Sequence, residues 1–225
     1  EVLIALIPHA TLAAVVIVYS IGLIQPAEFR AIRGVRKMEF HCALIACLGV
    51  LVFGTLKGIV VAIIVSMISL ANQTAHPKVY VIGRKRGTNV LRPLSPEHPD
   101  DETFPGLLIL RPEGRLFFVN AQNVADQIHA LLEQHHPRVL ALDLSGVTDI
   151  EYSALQMLIE SEQRAAEAGI ERWLVGLNPG VLEVVRHAGF DQRLGRERML
   201  FDAHKAIERY QEQKTDGAAA LPEAG

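Results

Sequence analysis

The chain has 225 residues, half of them hydrophobic, with 22 Lys and Arg against 25 Asp and Glu and a formal net charge of −3. That balance, with no large basic block, excludes a nucleic-acid partner held by phosphate neutralisation. The two cysteines, Cys42 and Cys47, both lie in apolar sequence and offer neither a disulfide framework nor metal-ligand spacing.

Hydrophobicity is unevenly spread. Residues 1–72 are dominated by Val, Ile, Leu and Ala, whereas 73–225 have the composition of a soluble protein, so the positive mean hydropathy averages two materials. The second part is long enough to build one globular domain with its own core. The sequence starts at Glu1 without an initiator Met, and we read it as a fragment. Its first apolar run lacks the basic start and small-residue cleavage site of a signal peptide.

Three apolar stretches are expected to form transmembrane helices, at about 3–24, 40–53 and 56–70. The first, roughly twenty residues without a charge, is long enough to cross a bilayer core, while the other two are shorter than a usual span. Only Gly54 and Thr55 separate the second from the third, with Lys57 just beyond. A single long helix would put Lys57 in mid-membrane at high cost, so the pair reads as a tight antiparallel hairpin. Arg30, Arg33, Arg36 and Lys37 precede it, and Lys78, Arg84, Lys85, Arg86 and Arg92 follow it. The positive-inside rule places both basic segments in the cytoplasm and the turn outside. No Asp, Glu, Arg or Lys lies deep in these stretches, so nothing resembles a proton relay or ion site. His9, beside Pro8, reads as an interfacial or packing histidine.

Residues 73–105 form a connector rich in proline and charge, including LRPLSPEHPDD. Leu107–Arg111 and Arg115–Asn120 are short apolar runs on either side of Pro112-Glu113-Gly114, a hairpin-like arrangement. Val124, Ile128, Leu131 and Leu132 recur with helical spacing over 121–134. RVLALDL, at 138–144, reads as a buried strand. A helix follows at 153–168, ended by Gly169, then a strand at 173–177, a helix at 179–187 ended by Gly189, and a last helix at 203–213. The tail from Lys214 to 225 is expected to be disordered. Alternating strands and helices imply an α/β domain with an open, mixed sheet and packed helices.

No Gly-rich phosphate loop follows any strand, and no Ser/His/Asp or Cys/His nucleophile set is visible, so no catalytic residue, metal ligand or cofactor is assigned. Asp143, Asp149 and Glu151 crowd the loop after RVLALDL, at the carboxyl end of a strand where α/β ligands often bind. The plainer reading is an acidic turn that favours the next helix through its dipole. Ser153 and Gln156 have the spacing of a capping box at the start of that helix. Alternatively, Ser153 is a phosphorylation site, where a phosphate gains from the helix N-terminus and loses against Asp149 and Glu151.

GLLILRPEGRLFFVNAQNVADQI and ALDLSGVTDIEYSALQML resemble the opening and the signature loop of a STAS domain, the module shared by anti-anti-sigma factors and SulP-type anion transporters. IPHATLAAVVIV, GLIQPAEFR and KMEFHCALIACLGVLVFGTLKGIVVAIIVS resemble the last helices of the SulP sulfate permease family. The resemblance implies transmembrane helices in 1–72, a STAS domain at 106–213, and the C-terminal part of a secondary active transporter of inorganic anions such as sulfate. It implies a substrate site on upstream helices outside this sequence, and a STAS domain that regulates and assembles the protein. It further implies a bacterial inner-membrane location, homodimer contacts and a cytoplasmic regulatory partner. Ser153, within Glu151-Tyr152-Ser153-Ala154, takes the position of the family's phosphoacceptor, although Tyr152 and Ala154 depart from the Asp-Ser-Ser-Gly-like motif. The alternative is a membrane-anchored STAS signalling module that binds a kinase or sigma-factor regulator.

Overall fold

In the computed structural model residues 9–219 are described. The expectations placed on residues 3–8, on the His9 side chain and on 220–225 lie outside the described residues. The chain divides into two compact units, Glu1–Ala71 and Asn72–Gly225, taken here one at a time.

The first unit is helical. Helix α1 (His9–Leu23) is followed by α2 (Pro26–Val35), α3 (Lys37–Phe53) and α4 (Thr55–Ala75), whose last turn belongs to the second unit. Helix α2 lies in the basic segment, where no helix was expected. Pro26 in its first turn supplies a pre-set helical φ. Two stretches, Ala10–Val35 and Thr55–Ala75, are long and apolar enough to cross a membrane. The expectation of three transmembrane helices is thereby corrected. Helix α3 has 17 residues, and at about 1.5 Å per residue it falls short of the roughly 30 Å hydrocarbon core. Val16, Ile21, Leu51 and Ile63 are all exposed within this unit, as suits helices that are apolar on every side and meet lipid or other helices.

Gly54, at φ +80°, separates α3 from α4. Among the described residues of this unit only Gly49 and Gly58 are buried. A Cβ on Gly58 would collide with the backbone of Val50, and one on Gly49 would lie 3.7 Å from the Gly58 Cα. The two helices approach so closely only because both positions lack side chains. Gly58→Val is therefore expected to destabilise the protein by about 1–3 kcal/mol through overpacking. Gly22→Ala and Gly34→Ala, where nothing lies within 4 Å, should be silent. Thermal unfolding of the three variants in lipid nanodiscs checks this.

The second unit is an α/β domain. Its strands are β1 (Val79–Arg84), β2 (Leu91–Pro93), β3 (Leu107–Pro112), β4 (Gly114–Leu116), β5 (Val139–Asp143), β6 (Val147–Ile150), β7 (Glu171–Val175) and β8 (Met199–Leu200). Its helices are α5 (Phe118–His135), α6 (Tyr152–Glu167), α7 (Pro179–His187), α8 (Phe190–Leu194) and α9 (Ala203–Ala219). Six strands form one mixed sheet in the order β2-β1-β3-β5-β7-β8. Strands β3, β5, β7 and β8 are mutually parallel, and β1 and β2 are antiparallel.

Period-two alternation sorts β5 between two cores. Leu140 and Leu142 pack with Val124 and Ile128 of α5, Leu155 and Ile159 of α6, and Val181 of α7. Val139 and Ala141 pack on the other face with Trp173, Ile207 and Tyr210. Covering both faces makes the strand apolar at nearly every position, as RVLALDL suggested.

Three sequence expectations are corrected in this unit. Strands β3 and β4 do not form a hairpin: β3 lies between β1 and β5, and β4 leaves to pair in parallel with β6. Pro112 ends β3 without an N–H to donate, and Gly114 turns the chain at φ +93°. The connector contains two strands, β1 and β2. Its loop is held by Arg84–Glu102 and Arg92–Asp101 ion pairs, each at 2.8 Å. Helix α9 continues to Ala219, past Lys214 where disorder was expected to begin.

The hydrogen bond from Arg92 holds the Asp101 carboxyl below the usual carboxylate range. A group depressed in the folded state contributes stability above its unfolded value, about 3.9, and that contribution fades as pH falls through its folded value. Asp101→Asn is therefore expected to destabilise the protein at neutral pH, with the gap to wild type closing at low pH. Denaturant titrations at several pH values read this directly.

Candidate functional site

The first residues of the second unit are tied to one face of α5. Asn120 is buried, and each of its polar atoms is used. Its Nδ2 donates to the Thr74 carbonyl at 3.0 Å and the Arg115 carbonyl at 2.8 Å, while its Oδ1 accepts from the Phe117 N–H at 3.0 Å. Gln127, two turns further along α5, donates to the Pro77 carbonyl at 2.9 Å and accepts from the Val79 N–H at 3.2 Å. Seven residues apart, the two amides share a helix face. Together they satisfy backbone groups of the segment that leads from the last turn of α4 into β1. Neither residue was singled out from sequence, where both read as polar positions of an amphipathic helix.

The acidic loop after β5 separates into two parts. Asp143 is 2% exposed and ends β5. Its Oδ2 accepts from Arg111 Nε at 2.9 Å and Nη2 at 2.7 Å, and its Oδ1 accepts from the Ser145 N–H at 3.0 Å. A Cβ on Gly176, at φ +65°, would stand 2.9 Å from that Oδ1. The carboxylate is thus enclosed by backbone, and its pair with Arg111 fastens β3 to β5. No room remains at the carboxylate for a ligand. Arg111 breaks the apolar run of β3, and that interruption was the signal for this pair.

Asp149 and Glu151 are brought together on the surface by Arg115, which lies 2.9 Å from the first and 3.1 Å from the second. Such exposed pairs are worth about 0–1 kcal/mol. The parallel register Leu116↔Ile150 sets the starts of α5 and α6 at the same end of the domain. Phe118, Val119 and Tyr152 are exposed there.

Ser153 does not cap α6. The N-cap is Glu151, which makes no side-chain capping bond, and Ser153 stands at the second helical position. Strand β6 runs up to Ile150 and hands the chain directly to the helix, so the helix starts earlier than the Ser-x-x-Gln spacing implied. The Ser153 side chain belongs to an exposed residue on the first turn, where free backbone N–H groups and the positive dipole end favour negative charge. The surface therefore combines an exposed hydroxyl, a helix N-terminus, exposed aromatics and a carboxylate pair held by Arg115. Among the described residues no group of three His, Cys, Asp or Glu is arranged to hold a metal ion.

Residues 98–206 match the STAS domain family. The chain is 25% identical over 210 residues to sulfate transporter 1.1 of Arabidopsis thaliana, covering 89% of this chain and 32% of that protein. It is 24% identical over 213 residues to high affinity sulfate transporter 2 of Stylosanthes hamata, covering 90% of this chain and 32% of that protein. The chain thus spans about a third of the length of these curated relatives. The structure of the murine Slc26a9 anion transporter in its inward-facing state superposes with a TM-score of 0.71 at 18% identity, covering 84% of this chain and 31% of that one. The fold is therefore similar over most of the chain.

Proposed function

From a chain that carries a STAS domain and is homologous to sulfate transporters over most of its length, we infer that it is the C-terminal part of a secondary active inorganic-anion transporter of the SulP type. In this reading the STAS domain regulates and assembles the protein. The observation that carries it is the order of parts, with helices suited to a membrane leading straight into the domain and the first residues of that domain held by Asn120 and Gln127. The anion is taken to bind on helices upstream of this sequence, because the apolar helices described here hold no buried charge that could receive it. Lys78, Lys85 and Arg86 follow α4 closely, and the positive-inside rule then favours the cytoplasmic side for the STAS domain; a bacterial inner membrane is part of the same proposal.

Ser153 is the proposed regulatory position. A phosphate there would gain from the N-terminus of α6 and compete with Asp149 and Glu151 for Arg115. Ser153→Asp is expected to change the transport rate by several-fold with little change in stability, and Ser153→Ala to leave both near wild type. Equal rates for the two variants would remove Ser153 from regulation.

The assay is uptake of labelled sulfate by the full-length protein in proteoliposomes under imposed proton or sodium gradients. Saturable uptake above protein-free vesicles is the expected result. Absence of anion flux under every gradient would sink the transporter reading in favour of a membrane-anchored signalling module.

A further inference from the structure

A cleft of about 510 Å³ opens between α5 and α6. Its apolar wall includes Ile128, Leu132, Met157 and Ala165. Arg172 of β7 also lines it, although this residue is only 2% exposed. Its Nη1 donates to the Leu158 carbonyl at 3.0 Å and Ser161 Oγ at 2.7 Å, and its Nη2 to the Ser161 carbonyl at 3.3 Å. All of these acceptors are neutral. The Nε is buried and has no partner.

The carboxylate whose charge acts on Arg172, Glu162, lies 3.6 Å from both Arg193 and Arg198 and is shared between them. A buried guanidinium is thus left without an ion-pair partner among the described residues, an arrangement that carries a standing desolvation cost. Burial pushes Arg172 down to about 10, so it stays charged at neutral pH. A second guanidinium, Arg164, stands at the cleft with His129 and His136. His136 is the one described non-glycine residue at positive φ. The carboxylates at the cleft, Asp126 and Glu133, are both exposed and engaged, the first with Gln122 at 2.7 Å and the second with His129 at 3.3 Å.

We propose that the cleft between α5 and α6 binds an amphipathic organic monoanion, its head group compensating Arg172 and Arg164 and its chain lying along Ile128, Leu132 and Met157. An apolar trough lined by a buried cation that has no ion pair among the described residues selects this chemistry. A neutral chain gains the apolar contact alone, and a cationic one is repelled. The inference stands apart from the transport reading, since it rests on this domain alone.

The test titrates the full chain in lipid nanodiscs with 1-¹³C-decanoate, with 1-decanol and decyltrimethylammonium as matched probes and empty nanodiscs as the partition reference. One saturable decanoate site per chain is expected, at least tenfold tighter than decanol, with no saturable binding of the cation. Arg172→Met should weaken decanoate at least tenfold. If that variant fails to fold, Arg164→Gln and Ala125→Phe decide, the second filling the cleft while both arginines remain. Decanoate binding no tighter than decanol, binding unchanged in Ala125→Phe, or no saturable component above empty nanodiscs would each overturn the proposal.

Discussion

Replacing Asp143 by alanine is expected to cost the second unit about 3 kcal/mol, the low end for removing one partner of a buried ion pair, because Arg111 keeps part of its surface in solvent. The carboxylate is 3% exposed at its side chain and receives both nitrogens of the Arg111 fork. Its loss leaves the guanidinium against β5 without an acceptor and frees the Ser145 N–H as well. For a domain of this size that corresponds to a fall in Tm of roughly 10 °C. Asp143→Asn should fall less far, since an amide oxygen can still accept from Ser145. Asp149→Ala, on an exposed pair, should shift Tm by no more than about 2–4 °C. Calorimetry of the three variants distinguishes an internal fastening from a surface ligand loop, because only the fastening ranks them in this order.

The second large effect concerns Asn120. Alanine there removes one donor group and one acceptor that between them serve the Thr74 and Arg115 carbonyls and the Phe117 N–H. Each buried polar group left unpaired costs about 1–3 kcal/mol, although water can reach some of them. The effect should be local as well as global. Amide hydrogen exchange is expected to accelerate over residues 74–79, with Gln127→Ala adding to it through Pro77 and Val79. Protection unchanged over that segment in the double variant would show that packing, and not these amides, holds it.

Much of the fold could be read from the sequence because its strongest signals are local. RVLALDL is apolar at almost every position since helices cover both faces of β5. Pro179 and the Asn178 cap, whose side chain accepts from the Val181 N–H at 2.9 Å, mark the start of α7 without ambiguity. Failures occurred where partners are distant in sequence. Leu107–Arg111 and Arg115–Asn120 looked like a hairpin because they are neighbours, yet β3 finds β1 and β5 while β4 finds β6. Strands β1 and β2 hid in a proline-rich stretch because only three residue pairs join them and ion pairs to Asp101 and Glu102 secure the rest.

The site was legible in the same uneven way. The crowd of Asp143, Asp149 and Glu151 was visible, but not its division, because that depends on Arg111 and Arg115 arriving from β3 and β4. The capping role of Ser153 failed by two residues, since the position of Glu151 at the N-cap is fixed by where β6 ends. Asn120 and Gln127 carried no sequence signal beyond polarity on a helix, and their meaning lies entirely in the backbone they meet.

Under the proposed function, this part of the protein governs an anion pathway whose binding chemistry lies on other helices of the full-length protein. The most direct measurement compares sulfate affinity with sulfate uptake in the full-length protein carrying Asn120→Ala and Gln127→Ala together. A Kd for sulfate within twofold of wild type and an uptake rate lowered at least tenfold are expected. A Kd that rises in proportion to the lost uptake, or uptake left at the wild-type rate, would contradict that reading.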